Sequence, residues 1–553
     1  MAMMCSRRTQ RADSSVPEAS RGRKVGTLLA ISVSLFAGIA GETPQLHAQA
    51  GPRIRRIVIE TENVFQDAES SFLARAADAI HGTTHEHVIR RELLFQEGDT
   101  LDPTKLLETE RNLRALGFFR RVEIKATPVG EEEVDVLVRT RDAWTTELSG
   151  SLGRAGGQGH YGISLEEKNL FGLGKKVSFA AAQRPDRSTR EALYSDPQFL
   201  GRRLALDILY DSNSDGDRRH FSLESGFRSL DSPSGAVLAY DQGSRQTRLY
   251  SEGSEFARFG MDTRSIELSG GRRLTPAGDR PVARLFAGYR REETTFGSID
   301  HAPDGFTLPA DRKFGFFFAR LELSRPEYFV QHDVAFFLRD EDFDLGNTAS
   351  LELGYSPSVF GAEQAVGGTL GLTRGLRLPG GFLVASLNAA TRARGGSFEN
   401  TLAEGQLLSV WRSDETSVHT LVGRLLLSVG SRLDREVQLE ADGANGLRAY
   451  RLHAFAGDRR VIVNLEDRVR LTPELLHLIV LGAAVFMDAG YAWPPGVPVR
   501  FSDLRADAGV GLRVGLPRAS RHALFRLDLA YALRPDLQGR RGWLVSFSSS
   551  QAF

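Results

Sequence analysis

The sequence predicts a mainly β chain: a C-terminal transmembrane antiparallel β-barrel of about sixteen strands, preceded by one small α+β domain. Three observations predict it. From about Trp411 to Phe553, apolar and polar residues alternate in segment after segment. The connections are uneven; some are tight, and others carry Gly, Asp and Pro over many residues, as from Asp300 to Asp311. The first fifty residues have the layout of an export signal. Alternation alone does not separate a membrane barrel from a soluble sandwich, since one apolar and one polar face suits both.

The leader comes first. Arg21, Arg23 and Lys24 end a basic stretch, and Gly26 to Ala40 is an apolar core too short to span a bilayer. Ala48-Gln49-Ala50 is a small-x-small cleavage site before Gly51. Residues 1–50 are expected to be a signal peptide cut between Ala50 and Gly51, with an uncleaved anchor as the alternative. The leader is long, so initiation at Met3 or Met4 stays open. Cys5 is the only cysteine of the 553 residues and precedes the apolar core. A chain cut after Ala50 has no thiol, which excludes cysteine catalysis and cysteine-ligated metals. The 70 basic and 70 acidic residues cancel, so charge suggests no nucleic-acid partner.

Residues 51–142 read as the small domain. Arg53 to Ile59 is β-branched and strand-like. Phe72, Leu73, Ala76, Ala77 and Ile80 have helical spacing over about 63–84, and Val88, Ile89 and Leu93 mark a second, short helix. Asp102-Pro103 is a cap followed by proline at the first helical position. That third helix runs through Leu106, Leu107, Leu113 and Leu116 to Gly117. Strands at Phe119–Ala126 and Val134–Val138 follow, giving the order β-α-α-α-β-β. His81, His85 and His87 cluster, but a zincin helix needs a histidine where Ile89 stands, so the segment reads as a polar helix start and no metal site is assigned.

Residues 143–553 read as the barrel. Ala508, Val510, Leu512, Val514 and Leu516 share one face, with Asp507 and Arg513 on the other. Ala523, Phe525, Leu527, Leu529 and Tyr531 repeat this opposite Arg526 and Asp528. The last strand puts Trp543, Val545, Phe547 and Phe553 on one face. Leu204 to Tyr210 and Leu421 to Val429 alternate likewise. Between Arg184 and Phe329 the strands merge and their turns are not placed.

Several motifs carry a family resemblance. Glu97-Gly98-Asp99, then Asn112-Leu113-Arg114-Ala115-Leu116-Gly117-Phe118-Phe119 and the closing strand pair, resemble a POTRA domain, here in one copy with extra residues after the first strand. Asn169-Leu170-Phe171-Gly172-Leu173-Gly174 and Tyr194-Ser195-Asp196-Pro197-Gln198-Phe199 resemble the opening of the barrel in the BamA/TamA outer-membrane assembly superfamily, the bacterial surface antigen family. Gly446-Leu447-Arg448-Ala449-Tyr450 is similar to the motif in that superfamily's long sixth extracellular loop, with Ala449 where the family has glycine. The resemblance implies that Arg448 lies inside the lumen and pairs with Glu466 and Asp488 on the wall. It implies that the last strand is an assembly signal and closes against the first strand near Trp144.

It also implies a place in the bacterial outer membrane, with the small domain in the periplasm. Its partners would be outer-membrane lipid, unfolded outer-membrane or secreted clients, and periplasmic chaperones or accessory proteins. A single POTRA copy points to a dedicated or accessory role. A two-partner-type secretion pore and a passive porin remain the alternatives. No Gly-x-Ser-x-Gly elbow and no His-Glu-x-x-His helix occurs, so no catalytic residue and no cofactor is assigned.

Overall fold

The computed structural model describes residues 51–62, 83–130, 132–143, 145–227, 229–278, 280–338, 340–414, 417–476, 478–517 and 523–549. The leader with Ala48 and Ala50, the helix expected over 63–84 as far as residue 82, His81, Trp144 and Phe553 lie outside them. In the small domain, β1 (Arg53–Glu62) is followed by α1 (Glu86–Glu92), α2 (Pro103–Ala115), β2 (Phe119–Pro128) and β3 (Glu133–Asp142). The sheet order is β1-β3-β2, with β1 parallel and β2 antiparallel to β3. Strand β3 is central, and its Val134, Val136 and Val138 are all buried. They pack with Ile54, Ile57, Ile89, Leu113 and Phe118. Helix α2 starts where the sequence places it: Asp102 Oδ1 accepts from the Thr104 N–H at 2.9 Å, with Pro103 in the first turn.

The rest of the chain closes into a barrel. Its wall begins with β4 (Thr146–Ala155), β5 (Gln158–Glu167), β6 (Lys176–Gln183), β7 (Ser188–Asp196), β8 (Leu204–Asn213) and β9 (Gly216–Gly226). Longer strands follow: β10 (Ser234–Ser251), β11 (Ser254–Arg273), β12 (Val282–His301) and β13 (Arg312–Arg325). A hairpin, β14 (Tyr328–His332) with β15 (Asp340–Asp344), leaves the wall, and β13 pairs directly with β16 (Asn347–Ser356). The wall resumes through β17 (Ala365–Leu378), β18 (Gly381–Arg394), β19 (Ser397–Trp411) and β20 (His419–Ser431). A second hairpin, β21 (Leu439–Ala441) with β22 (Phe455–Gly457), also leaves it. Strands β23 (Arg459–Arg470), β24 (Val480–Trp493), β25 (Arg505–Leu516), β26 (Ala523–Ala532) and β27 (Trp543–Ser548) return to β4.

The wall has 20 strands, not the sixteen expected. The miscount has a physical origin. Two-residue turns such as Ser214-Asp215 and Glu252-Gly253 join strands without breaking the alternation, so a hairpin reads as one long strand. Strands β10 to β12 are 18 to 20 residues long, which hides their ends further.

The burial pattern separates a membrane barrel from a sandwich. Val510 is 55% exposed and Leu512 45%, while Asp507 and Arg513 on the other face of β25 are 0% exposed. Phe525, Leu527 and Leu529 point outward on β26, and Asp528 points inward. Apolar outside and charged inside is the arrangement lipid selects.

Three turns at one end of the barrel dock the small domain. Asn169 Nδ2 donates to Thr84 Oγ1 at 2.8 Å, and Asn169 Oδ1 accepts from the Gly174 N–H at 2.7 Å. Thr84 in turn donates its hydroxyl and its N–H to the Asp142 carboxylate, both at 2.8 Å. Gln198 Nε2 donates to the Val88 carbonyl and to Glu92 Oε1. Glu108 accepts from Ser229 Oγ at 2.9 Å and the Leu230 N–H at 2.8 Å. The Asn169 and Gln198 motifs therefore hold two domains together. Asn169→Ala strands the buried Thr84–Asp142 pair and should weaken the junction by about 1–3 kcal/mol. Hydrogen exchange at 84–92 should quicken while the barrel's heat-modifiable mobility stays; unchanged exchange would contradict it.

Candidate functional site

The segment 432–458 joins β20 to β23 at the end of the barrel opposite the small domain and folds back into the lumen. One aspartate shapes it. Asp442 Oδ1 accepts from the N–H groups of Ala444 and Asn445, and Oδ2 accepts from the His453 N–H at 2.7 Å. Both ends of the tip are thus tied to one side chain. Gly446 has φ +119, and a Cβ there would stand 3.0 Å from Asn464, whose Nδ2 donates to the Gly446 carbonyl at 2.6 Å. Glycine is required here on both counts. The positive φ falls on Gly446 and not on Ala449, so alanine at 449 causes no strain. Leu447 is buried, and the Tyr450 hydroxyl donates to the carbonyls of Ala506 and Arg534.

Arg448 reaches the wall. Its Nε and Nη2 donate to the two Asp488 oxygens at 2.7 and 3.0 Å, a two-pronged contact, and its Nη1 donates to Glu466 Oε2 at 2.6 Å. The guanidinium carbon lies 3.4 Å from the centre of the Phe486 ring. The structure thus brings Arg448, Glu466 and Asp488 together. It adds a third carboxylate that sequence reasoning missed: Asp528 Oδ2, 3.4 Å from Nη1. It also adds three further cations, one of them Arg526, whose Nη1 lies 3.2 Å from Asp528 Oδ2. Arg513 bridges Glu466 at 3.0 Å and Asp528 at 2.5 Å, and Arg468 Nε donates to Glu466 at 3.0 Å. Register holds the signal that could have found Asp528: it stands on β26 opposite Gly511, inward like Asp488. A Cβ at Gly511 would lie 2.1 Å from Asp528 and 2.4 Å from Arg513, so only glycine leaves room for that ion pair.

The same segment caps the lumen. His453 stacks on Tyr250 at 3.6 Å, and its Nδ1 is 2.9 Å from Glu440 and its Nε2 3.7 Å from Asp186. Burial pulls this imidazole down, but hydrogen bonds and charge from Asp186 and Glu440 outweigh it and push it up to about 10. Glu440, Asp442 and His453 could together reach one cation, yet Asp442 is already taken by three N–H groups. The cluster reads as a lock on the loop.

Of the expected assembly signal, Trp543 and Val545 face outward and Phe547 is half-buried opposite Arg154. Among the described residues that is the one pair in register between β27 and β4, where neighbouring strands share six or more. His85 and His87 stack at 5.4 Å in the small domain and His81 lies outside the described residues.

Arg448→Ala takes the two-pronged partner from buried Asp488 and one of several cations from Glu466 and Asp528. It should weaken loop docking by about 3–5 kcal/mol, with Arg448→Lys recovering only part because it cannot fork. Protease cleavage within 432–458 reads this; equal cleavage of variant and parent would contradict it. His453 titrates higher when docked than when free, at about 6.5. Its contribution is therefore full below that value and is lost as pH rises through about 10. Cleavage should climb over that window and flatten in His453→Gln.

Comparison with known proteins follows this geometry. Residues 79–141 match the POTRA family model, described as "Surface antigen variable number repeat". The outer membrane protein assembly factor BamA of Nitratidesulfovibrio vulgaris is 26% identical over 144 residues, 26% of this chain and 18% of that protein. BamA of Neorickettsia risticii is 34% identical over 95 residues, 17% of this chain and 13% of that protein. The chain thus spans less than a fifth of the length of these relatives. Among solved structures, Haemophilus ducreyi BamA lacking POTRA domains 1–3 aligns at 13% identity and TM-score 0.42, covering 90% of this chain and 84% of that one. CdiB of Escherichia coli aligns at 14% and 0.46, covering 90% and 76%. The chain thus carries a POTRA domain, matched over residues 79–141, ahead of a closed β-barrel of the outer membrane, with the small domain on the periplasmic side.

Proposed function

We propose that this protein assembles or translocates other proteins at the outer membrane, taking unfolded clients from the periplasm. The observation that carries the reading is a strand edge left open on the POTRA sheet among the described residues. The barrel closes where β27 meets β4, at Phe547–Arg154 among the described residues, and on this reading that junction parts to expose two strand edges. A client strand that pairs with such an edge satisfies its own backbone groups before it meets lipid, where each unsatisfied group costs several kcal/mol. The open POTRA edge is β2, which pairs on one side only, with β3, and can take an extended segment by strand addition. The relatives' naming as outer membrane protein assembly factors supports the reading. It assigns no catalytic step and no cofactor, since client folding supplies the free energy. Periplasmic chaperones or accessory proteins would deliver the client.

The test joins the seam. Paired residues of an antiparallel ladder lie close enough for a disulfide, so Phe547→Cys with Arg154→Cys should crosslink. In proteoliposomes the parent should accelerate insertion of an unfolded barrel client, scored by protease protection and heat-modifiable mobility. The oxidised variant should lose the acceleration and regain it on reduction. Steady conductance with no effect on any client would overturn the reading in favour of a pore for one secreted partner.

A further inference from the structure

The hairpin β14–β15 has no part in the reading above, and it is built as a plug. Residues 326–346 leave the wall at the periplasmic end, since β13 pairs directly with β16. The hairpin turns inward. Its Val334 packs with Phe382, Val410 and Val422 on the lumen face of β18, β19 and β20. Phe337 packs with Val480 and Leu524 on β24 and β26. Gly482 and Gly515 leave space for the Phe337 ring; a Cβ at either would meet it at 2.3 or 2.8 Å. The tip thus crosses beneath the wall from β18 to β26.

The tip is preformed. Glu341 Oε1 accepts three consecutive N–H groups, from Val334, Ala335 and Phe336, at 2.8 to 3.1 Å. Asp333 and Leu338 flank it in the left-handed region, at φ 56 and 55, a conformation that stores strain in side-chain-bearing residues. Charge holds it down. The buried Asp333 carboxylate lies 3.4 Å from Arg470 Nε and 3.7 Å from Arg412 Nη1. Thr420 donates to the Asp333 carbonyl at 3.1 Å.

Two further contacts tie the plug to the anchor of the outer loop and to the small domain. Arg468 Nη1 donates to the Val334 carbonyl at 2.9 Å while its Nε donates to Glu466 Oε1, the carboxylate that also receives Arg448. On the other side, Arg111 of α2 lies over the Tyr328 ring at 5.6 Å. One arginine therefore touches both the periplasmic hairpin and the anchor of the loop that enters from outside.

We infer that residues 326–346 form a periplasmic gate on the barrel lumen, and that Arg468 couples its position to the docked Arg448 loop. The coupling does not depend on which client the protein serves. Release of Arg448 leaves Glu466 short of one cation, so the carboxylate draws Arg468 toward the wall and off the Val334 carbonyl, which frees the tip; release of the tip acts back on the loop by the same factor.

The test uses the full chain with Cys5→Ser. A Cβ at Gly515 would stand 3.5 Å from Phe337 Cβ, so Phe337→Cys with Gly515→Cys should form a disulfide. In proteoliposomes the oxidised pair should hold conductance low, and reduction should restore openings. Equal conductance in both states would overturn the gate. In a second variant, Phe337→Cys alone should react slowly with a maleimide. Adding Arg468→Gln, or separately Arg448→Ala, should raise that rate about tenfold. An unchanged rate in folded, heat-modifiable protein would overturn the coupling. A Phe337→Cys that labels as fast as an exposed thiol would overturn the plug itself.

Discussion

A barrel in lipid must turn its charges inward, and charges gathered inside must find each other. That constraint centres on Arg448. Its guanidinium is 3% exposed and meets carboxylates from β23, β24 and β26, so three strands distant in sequence are fixed by one side chain from a loop. A buried ion pair is weak evidence for net stability, since desolvation consumes much of the attraction. Its better-supported effect is to choose one arrangement among many. Any shift of the 432–458 loop by a few ångströms would break the two-pronged Arg448–Asp488 contact and take one cation from Glu466 and Asp528. The loop therefore has one seat, and the caps built on it, His453 on Tyr250 and Gln438 on the Tyr250 backbone, inherit that precision.

The small domain obeys a related rule at the other end. Its docking surface is made of backbone groups and short polar side chains: Thr84, Asp142, Asn169, Gln198 and Glu108. All three turns that reach it place a bulky residue in the left-handed region: Phe171 at φ 55, Leu200 at φ 56 and Phe227 at φ 55. Strain of that kind persists only where the surroundings over-determine the backbone. Here the surroundings are the bonds from the Gly172 carbonyl to the His85 N–H and from Gln198 to α1. A domain held this way is aimed at the barrel rather than tethered to it.

How much of this was legible in the sequence depended on range. Local signals read well: the Asp102-Pro103 helix start, the Val134-x-Val136-x-Val138 strand and the two-faced pattern of β25 all follow from residues within one element. The motif Gly446 to Tyr450 was legible only through a family resemblance, because nothing in its spacing says where Arg448 goes. Asp528 and Arg513 were missed for that reason, as their partners are set by barrel register. Strand number failed where two-residue turns let one alternation run into the next. The hairpin at 326–346 was missed because its strands are short and read like wall strands, and whether a strand joins the wall or folds beneath it is decided by Phe337 meeting Gly482 and Gly515 far along the chain.

These pieces bear on which way a client could pass. The lumen is entered from outside by the Arg448 loop and from the periplasm by the Phe337 tip, and both rest on Glu466 through Arg448 and Arg468. An axial path would have to break buried ion pairs at each end. The wall, by contrast, closes by strand pairing alone where β27 meets β4, at Phe547–Arg154 among the described residues. Parting one strand pair breaks ladder hydrogen bonds that a client strand replaces, whereas emptying the lumen strands charges in a medium that screens them poorly. On the reading proposed for this protein, the sideways route is the one with the smaller barrier, and the sealed lumen is what makes it so.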